Sequence, residues 1–143
     1  MRYFDTSILI PLVMREASSD QVSNFLAALP FDHWSISDWT TVEFASFLAR
    51  AIRMDQISAR EAVPIRDRFQ MMIEESFVTL LPSRADYRLA RDYLVQPDTG
   101  LRAGDALHLA IAANNAASEI HTLDRIMLKA GTRLGLPMSN GPL

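Results

Sequence analysis

Leu101-Arg102-Ala103-Gly104-Asp105-Ala106-Leu107-His108-Leu109-Ala110-Ile111-Ala112 is apolar on nearly every side, yet it carries a carboxylate near its start. A helix that is apolar all round belongs in a core. Aspartate is among the residues least often fully buried unless paired. An uncompensated buried carboxylate costs several kcal/mol, or it takes up a proton instead. Asp105 therefore needs a partner: a cationic side chain, a set of N–H donors, or a metal cation. Arg102 and His108 stand three residues to either side, on roughly the same helix face, and are the local candidates.

Working outward, short β-rich runs alternate with helical patterns. Residues 2–4, 34–37, 77–81 and 119–123 read as strands, and 136–138 as a possible last short one. Helices are expected over 7–14, 19–29, 40–54, 57–75, 83–95, 101–117 and 125–134. Pro11 and Pro64 fall inside two of them and should distort or end them. Gly135 should close the last. Strands alternating with helices argue for a parallel α/β sheet covered on both faces. Ligands of such sheets bind beyond the carboxyl ends of the strands.

The chain has 143 residues, which fits a single domain spanning 1–143. Its 49% hydrophobic and 22% charged residues are ordinary for a soluble globular protein. No apolar run approaches the ~20 residues of a membrane span, so no membrane partner is expected. The amino terminus does not read as a signal peptide, since Asp5 interrupts it early. With no cysteine there is no disulfide, thiolate zinc site or thiol nucleophile, and a cytoplasmic location is expected. The net charge of −3 argues against a protein that grips nucleic acid by charge alone.

Four carboxylates fall where strands end and helices begin. Asp5 follows the first strand and Asp124 the fourth. Glu43 lies in the expected first turn of the helix after the second strand, and Asp105 near the start of the focal helix. Each has an individual explanation. Asp5 and Asp124 could cap the helices that follow, Thr40-x-x-Glu43 matches a capping box, and Asp105 suits a helix dipole. Capping does not explain why four acids between apolar runs share one sheet edge. Like charges at ~4–6 Å raise one another's pKa and destabilise the fold. A divalent cation removes that repulsion, and hard oxygen donors without cysteine point to Mg²⁺ or Mn²⁺. Such a site can activate water and polarise a phosphoryl group.

At these positions the chain resembles a known family. Tyr3-Phe4-Asp5-Thr6-Ser7, Thr41-Val42-Glu43-Phe44, the focal Leu101–Ala110 segment and Thr122-Leu123-Asp124 are similar, in order, to the motifs of PIN-domain ribonucleases, above all the VapC-type toxins of toxin–antitoxin pairs. The resemblance implies a PIN-like three-layer α/β sandwich with a mostly parallel sheet of four to five strands flanked by helices. It implies an endoribonuclease cleaving RNA, with tRNA or rRNA as the substrate class, using Mg²⁺ or Mn²⁺. It further implies a homodimer inhibited by a cognate VapB-type antitoxin. By position, Asp5, Glu43, Asp105 and Asp124 are the catalytic and metal-holding acids, and Ser7 and Thr122 match supporting hydroxyls. Gly104 stands where a larger residue is common, so a looser start to that helix is expected.

Other readings remain open. Arg102 and His108 are candidate substrate contacts; ion pairing for Arg102 and packing beneath the site for His108 are the competing roles. Arg84, Arg88 and Arg91 recur at helical spacing and could face RNA or only solvent. Trp34, Trp39, Phe44 and Phe47 suit core or dimer packing better than base stacking. Two alternative functions are a non-catalytic module of the same fold that binds RNA or a peptide, and a phosphatase with Asp5 as nucleophile. Ser7 stands where such a phosphatase usually has a second acid, which counts against it.

Overall fold

In the computed structural model, which describes residues 1–139 and 141, four parallel strands form the centre. They are β1 (Arg2–Phe4), β2 (Trp34–Ser37), β3 (Val78–Leu80) and β4 (Glu119–His121), in the order β3-β2-β1-β4. Tyr3 is in register with Ser35 on one side and Ile120 on the other. Among the described residues seven helices surround them: α1 (Thr6–Val13), α2 (Ser19–Ala28), α3 (Asp38–Arg53), α4 (Ala59–Ser76), α5 (Arg84–Leu94), α6 (Ala103–Asn114) and α7 (Arg125–Arg133). A 3-10 turn at Pro97–Thr99 links α5 to α6.

The two-residue period of β1 divides the core. Phe4 packs with Ile8, Leu26, Ile36, Phe44 and Phe69 against α1–α4. Its neighbour Tyr3 packs with Ala106, Leu109, Ile120 and Met127 against α5–α7. This is the expected three-layer sandwich, with the focal helix α6 in one outer layer. Residues 106–112 of α6 are buried without a break, and their most extensive packing is against α5. Among the described residues the sheet has four strands, within the expected four to five. Beyond α7, among the described residues, only an isolated parallel bridge joins Met138 to Ile120, because Pro137 lacks the N–H a further strand would need.

Three expectations about helices are corrected. Pro64 does not break α4, which continues to Ser76. The proline is exposed and removes one backbone bond from an otherwise complete ladder. The focal helix is shorter than 101–117, running Ala103–Asn114. Helix α3 starts at Asp38 rather than at residue 40, with Ser37 as its N-cap. Thr40 is then the third helical residue, and its hydroxyl accepts from Ser37 N at 3.4 Å. Glu43 consequently sits in the second turn, so the Thr40-x-x-Glu43 capping box does not form and the Glu43 carboxylate is free for another use.

Ser83 caps α5, and the cap extends into the core. Asp86 accepts from Ser83 N (2.6 Å) and Oγ (2.8 Å), and from Asn114 Nδ2 of α6 (2.7 Å). It is a buried acid that ties one helix end to its neighbour. Asp86→Ala should lower stability by about 2 kcal/mol, since it deletes a cap and strands the Asn114 amide. A shift of the urea midpoint with an unchanged slope would show this.

Candidate active site

All four strands run the same way, so their carboxyl ends share one edge, and that is where the acids meet. Asp5 follows β1 directly and is 5% exposed. Its Oδ1 accepts from Ser7 N (3.1 Å) and Ser7 Oγ (2.6 Å), and its Oδ2 from Thr122 Oγ1 (3.1 Å). Ser7 Oγ in turn accepts from Leu123 N (2.8 Å), and Thr122 Oγ1 from Asp124 N (2.9 Å). The two hydroxyls therefore lash Asp5 to the segment that carries Asp124. Asp124 caps α7, its Oδ1 accepting from Ile126 N (2.7 Å) and Met127 N (3.0 Å). Asp105 closes the first turn of α6, its Oδ2 accepting from Arg102 N at 3.1 Å. Capping thus accounts for one oxygen of Asp105 and one of Asp124. Among the described residues, Asp105 Oδ1 and Asp124 Oδ2 accept no hydrogen bond.

Glu43 is held differently. Its Oε2 accepts from Thr6 Oγ1 (2.5 Å) and lies 2.6 Å from His108 Nε2. On the far side of the ring, His108 Nδ1 is 2.7 Å from the Tyr3 hydroxyl, which also meets Ser37 Oγ at 3.0 Å. An ionised carboxylate can only accept, so Nε2 carries a proton. The Tyr3 hydroxyl donates to Ser37 Oγ. The chain from β2 through β1 and α6 to α3 is continuous. His108 is 1% exposed, so it lies beneath the site and is not a surface contact for a substrate. Arg102 is exposed and, among the described residues, forms no ion pair with Asp105.

The charges respond to one another. Burial pushes Asp5 up to about 6; the His108 charge and the Ser7 and Thr122 hydroxyls oppose this, and Glu43 adds to it. Burial also raises Asp105, with the backbone N–H of Arg102 opposing and the charges of Asp124 and Glu43 reinforcing. Burial alone would raise Glu43, but His108, Thr6 and Trp39 together bring it below its ordinary value. The site therefore combines one acid held ionised with two whose ionisation is opposed by burial first and by neighbouring acids second. Hard carboxylate oxygens, two hydroxyls and no thiol are a donor set for Mg²⁺ or Mn²⁺. Among the described residues, however, no three acids or histidines stand close enough to hold a metal as they are oriented. Each carboxylate is turned onto its own internal donors, which leaves one oxygen each of Glu43, Asp105 and Asp124 without a hydrogen bond among the described residues.

Gly104 has a role the sequence did not reveal. A Cβ there would lie 2.6 Å from Glu43 Oε1 and 3.3 Å from Trp39 Nε1. The helix start is not loose; it is narrow to admit Glu43 and the indole. Among the described residues, Trp39 Nε1 is buried beside that carboxylate, near enough to help lower it but outside good hydrogen-bond geometry. Of the other aromatic candidates, Phe44 stacks on Phe69 with centroids 3.6 Å apart, and Trp34 packs on Phe4 and Phe77. Arg84, Arg88 and Arg91 are exposed on α5. Thr6, Tyr3, Ser37 and Trp39 are the site's neighbours that sequence reasoning missed as such. Their only signal was position, within two residues of an acid or at a strand end.

The family model for the PIN domain matches residues 2–132. Among solved structures, the chain is similar to VapC20 of Mycobacterium tuberculosis, described as a sarcin-ricin loop cleaving toxin, with TM-score 0.70 and 16% identity over 92% of this chain and 95% of that one. It is similar to a toxin–antitoxin complex from Klebsiella pneumoniae, with TM-score 0.67 and 21% identity over 100% and 98% of the two chains. A third is VapBC2 from Rickettsia felis bound to a promoter DNA fragment, with TM-score 0.70 and 16% identity over 99% of each. At these identities the likeness is one of fold. No curated protein matches the chain at a significant level.

Proposed function

The chain belongs to the PIN-domain family, and from that premise we propose that it is the toxin of a toxin–antitoxin pair, a Mg²⁺- or Mn²⁺-dependent endoribonuclease. The observation that carries this reading is the gathering of Asp5, Glu43, Asp105 and Asp124 at one sheet edge, where Asp105 is raised by burial and further by the charges of Asp124 and Glu43. Those four acids would hold the cation. When bound, a divalent ion supplies a more acidic water and a polarised phosphoryl group.

The chain's own residues do the positioning. Ser7 and Thr122 fix both oxygens of Asp5. Thr6 and His108 keep Glu43 ionised and aimed past Gly104. The buried surroundings thin out competing water, so charge interactions there act at lower dielectric than in solution. Gly104→Ala tests the aim of Glu43. The added methyl gains helix propensity of up to about 1 kcal/mol but displaces Glu43 Oε1. Stability should change little while cleavage falls by roughly tenfold or more. Unchanged cleavage would show that Glu43 needs no such clearance.

A cognate VapB-type antitoxin is the proposed inhibitor. An apolar groove of about 480 Å³ between α3 and α4, lined by Phe44, Leu48, Val63 and Phe69 among others, suits an amphipathic segment of such a partner. We read the protein as a cytoplasmic homodimer. Tyr87, Leu94 and Val95, exposed on and just after α5, with Leu81 before it, offer an apolar surface for a second copy. No described helix is long and apolar enough to cross a membrane.

The test is direct. The purified chain, given Mn²⁺ or Mg²⁺, should cut one member of a panel of tRNAs and rRNA fragments, and a chelator should stop it. Induction in a bacterial host should arrest growth, and co-expression of the neighbouring open reading frame should restore it. RNA left intact with either ion, or cut equally well in chelator, would overturn the proposal.

A further inference from the structure

Helix α7 begins at the residue after Asp124, and its charges have a pattern. Arg125, Lys129 and Arg133 recur every four residues and so form one stripe. All three line a cleft of about 430 Å³ between α7 and the 97–100 turn. Lys129 is the only lysine in the chain. Asp98 is the one acid among the described residues lining that cleft, and it is taken by Arg133 at 3.2 Å. Arg125 and Lys129 have no ion pair or side-chain hydrogen bond among the described residues, so the cleft carries an excess of positive charge.

Lys129 lies mid-helix, and Arg133, being in the last turn, suits the helix dipole. Arg125 does not, since a cation at the first helical position opposes the dipole. It gains its place if an external anion meets it. The floor offers apolar contact: Ile126 is 49% exposed, and Gly100 turns past it in the left-handed region at φ +68, where an added Cβ would reach Ile126 Cγ2 at 3.5 Å. A cationic wall over an apolar floor matches a nucleic acid strand, whose phosphates and sugars present both surfaces. The stripe starts beside one wall of the acidic cluster. An RNA whose reacting phosphate lies at the acids can continue along α7, and a protein with a net charge of −3 needs such a local cationic track to hold a polyanion.

We propose that the α7 cleft is the track for the single-stranded RNA flanking the cleaved phosphate, with successive phosphates on Arg125 and Lys129 and Arg133 as the last rung. This rests on the ribonuclease reading above and adds to it the place where substrate affinity resides.

The probe is a fluorescein-labelled mixed-sequence 20-nucleotide RNA, with binding read by anisotropy in an Asp5→Asn background that prevents cleavage. Arg125→Ala/Lys129→Ala should raise Kd roughly tenfold at about 0.1 M salt and reduce the slope of log K against log salt by about 1.4, or about 0.7 for each lost contact. In the otherwise wild-type enzyme the same pair should raise KM and leave kcat within about twofold. The charge-matched control Arg60→Ala/Arg68→Ala, exposed on α4 in the opposite layer, should do neither. An unchanged Kd and slope for the α7 pair, an equal effect from the control, or loss of the antitoxin complex with RNA binding intact would each overturn the track while leaving RNA cleavage standing. If wild type neither binds nor cuts any RNA, the ribonuclease reading falls first and the track falls with it.

Discussion

Asp5→Asn should yield a protein that is inert and yet more stable than wild type in the absence of metal. Asp5 is buried, and its folded-state pKa of about 6 lies above the ordinary 3.8. The folded chain therefore binds a proton between about pH 4 and pH 6 that the unfolded chain has released. Stability falls as pH rises through that window and levels off above it. At neutral pH the ionised Asp5 costs on the order of 2–3 kcal/mol. Asparagine removes the charge and keeps the shape. Its oxygen can still accept from Ser7 N and Oγ, and its amide faces Thr122 Oγ1, which has a lone pair to offer once its own hydrogen turns away. Thermal unfolding without metal should rise by roughly 5 °C at pH 7.5, with the advantage vanishing near pH 4. Cleavage and growth arrest should fall by about 10³-fold or more, since a charged group acting at the reacting centre is lost. Saturating Mn²⁺ should stabilise wild type far more than the variant. A variant as toxic as wild type would remove Asp5 from the chemistry. One that unfolds at the wild-type temperature at every pH would show that the carboxylate carries no burial penalty.

The strands, the alternation that made the sheet parallel and the four acids were legible in the sequence because each rests on local signals. Tyr3-Phe4 before Asp5 and Ile120-His121 before Thr122 are β-rich runs ending in polar residues, and a parallel sheet puts such ends together. What escaped was register and reciprocity. Whether Thr40 or Ser37 opens α3 depends on two candidate caps three residues apart, and the choice moves Glu43 from the first turn to the second. Gly104 read as a weakness because its cost is local, whereas its reason lies on α3, in the Glu43 oxygen that a methyl would strike. Asp105 follows the same pattern. Its immediate partner is the backbone N–H of Arg102, a capping contact, while its wider partners are like charges on two other elements. Arg102 and His108, the neighbours in sequence, do not bond to its side chain through theirs. His108 passes it by and reaches across to Glu43 and Tyr3, contacts 65 and 105 residues away in the chain.

That reach makes His108→Ala the most destabilising single change we expect at the site. The imidazole is 1% exposed and meets Tyr3 edge-on, with centroids 5.8 Å apart. Truncation opens a cavity against β1, leaves the buried Tyr3 hydroxyl with Ser37 alone, and leaves the partly buried Glu43 carboxylate with Thr6 alone. A lost buried ring and two stranded polar groups together cost about 3–5 kcal/mol, a large part of the 5–15 kcal/mol that holds a typical domain together. Tyr3→Phe removes only the hydroxyl and should cost about 1–2 kcal/mol. The decisive measurement is a double-mutant cycle between His108→Ala and Glu43→Gln, read by urea unfolding. If His108 and Glu43 hold each other, the two losses should fall short of additivity by about 1–3 kcal/mol, because once either partner is gone the other has less to lose. Strict additivity would mean that the 2.6 Å contact contributes nothing and that His108 is only packing. The activity of Tyr3→Phe separates the same alternatives, since the fold survives that change. A relay that aims Glu43 should lower kcat by roughly tenfold at constant KM, and a ring that merely fills space should leave both unchanged.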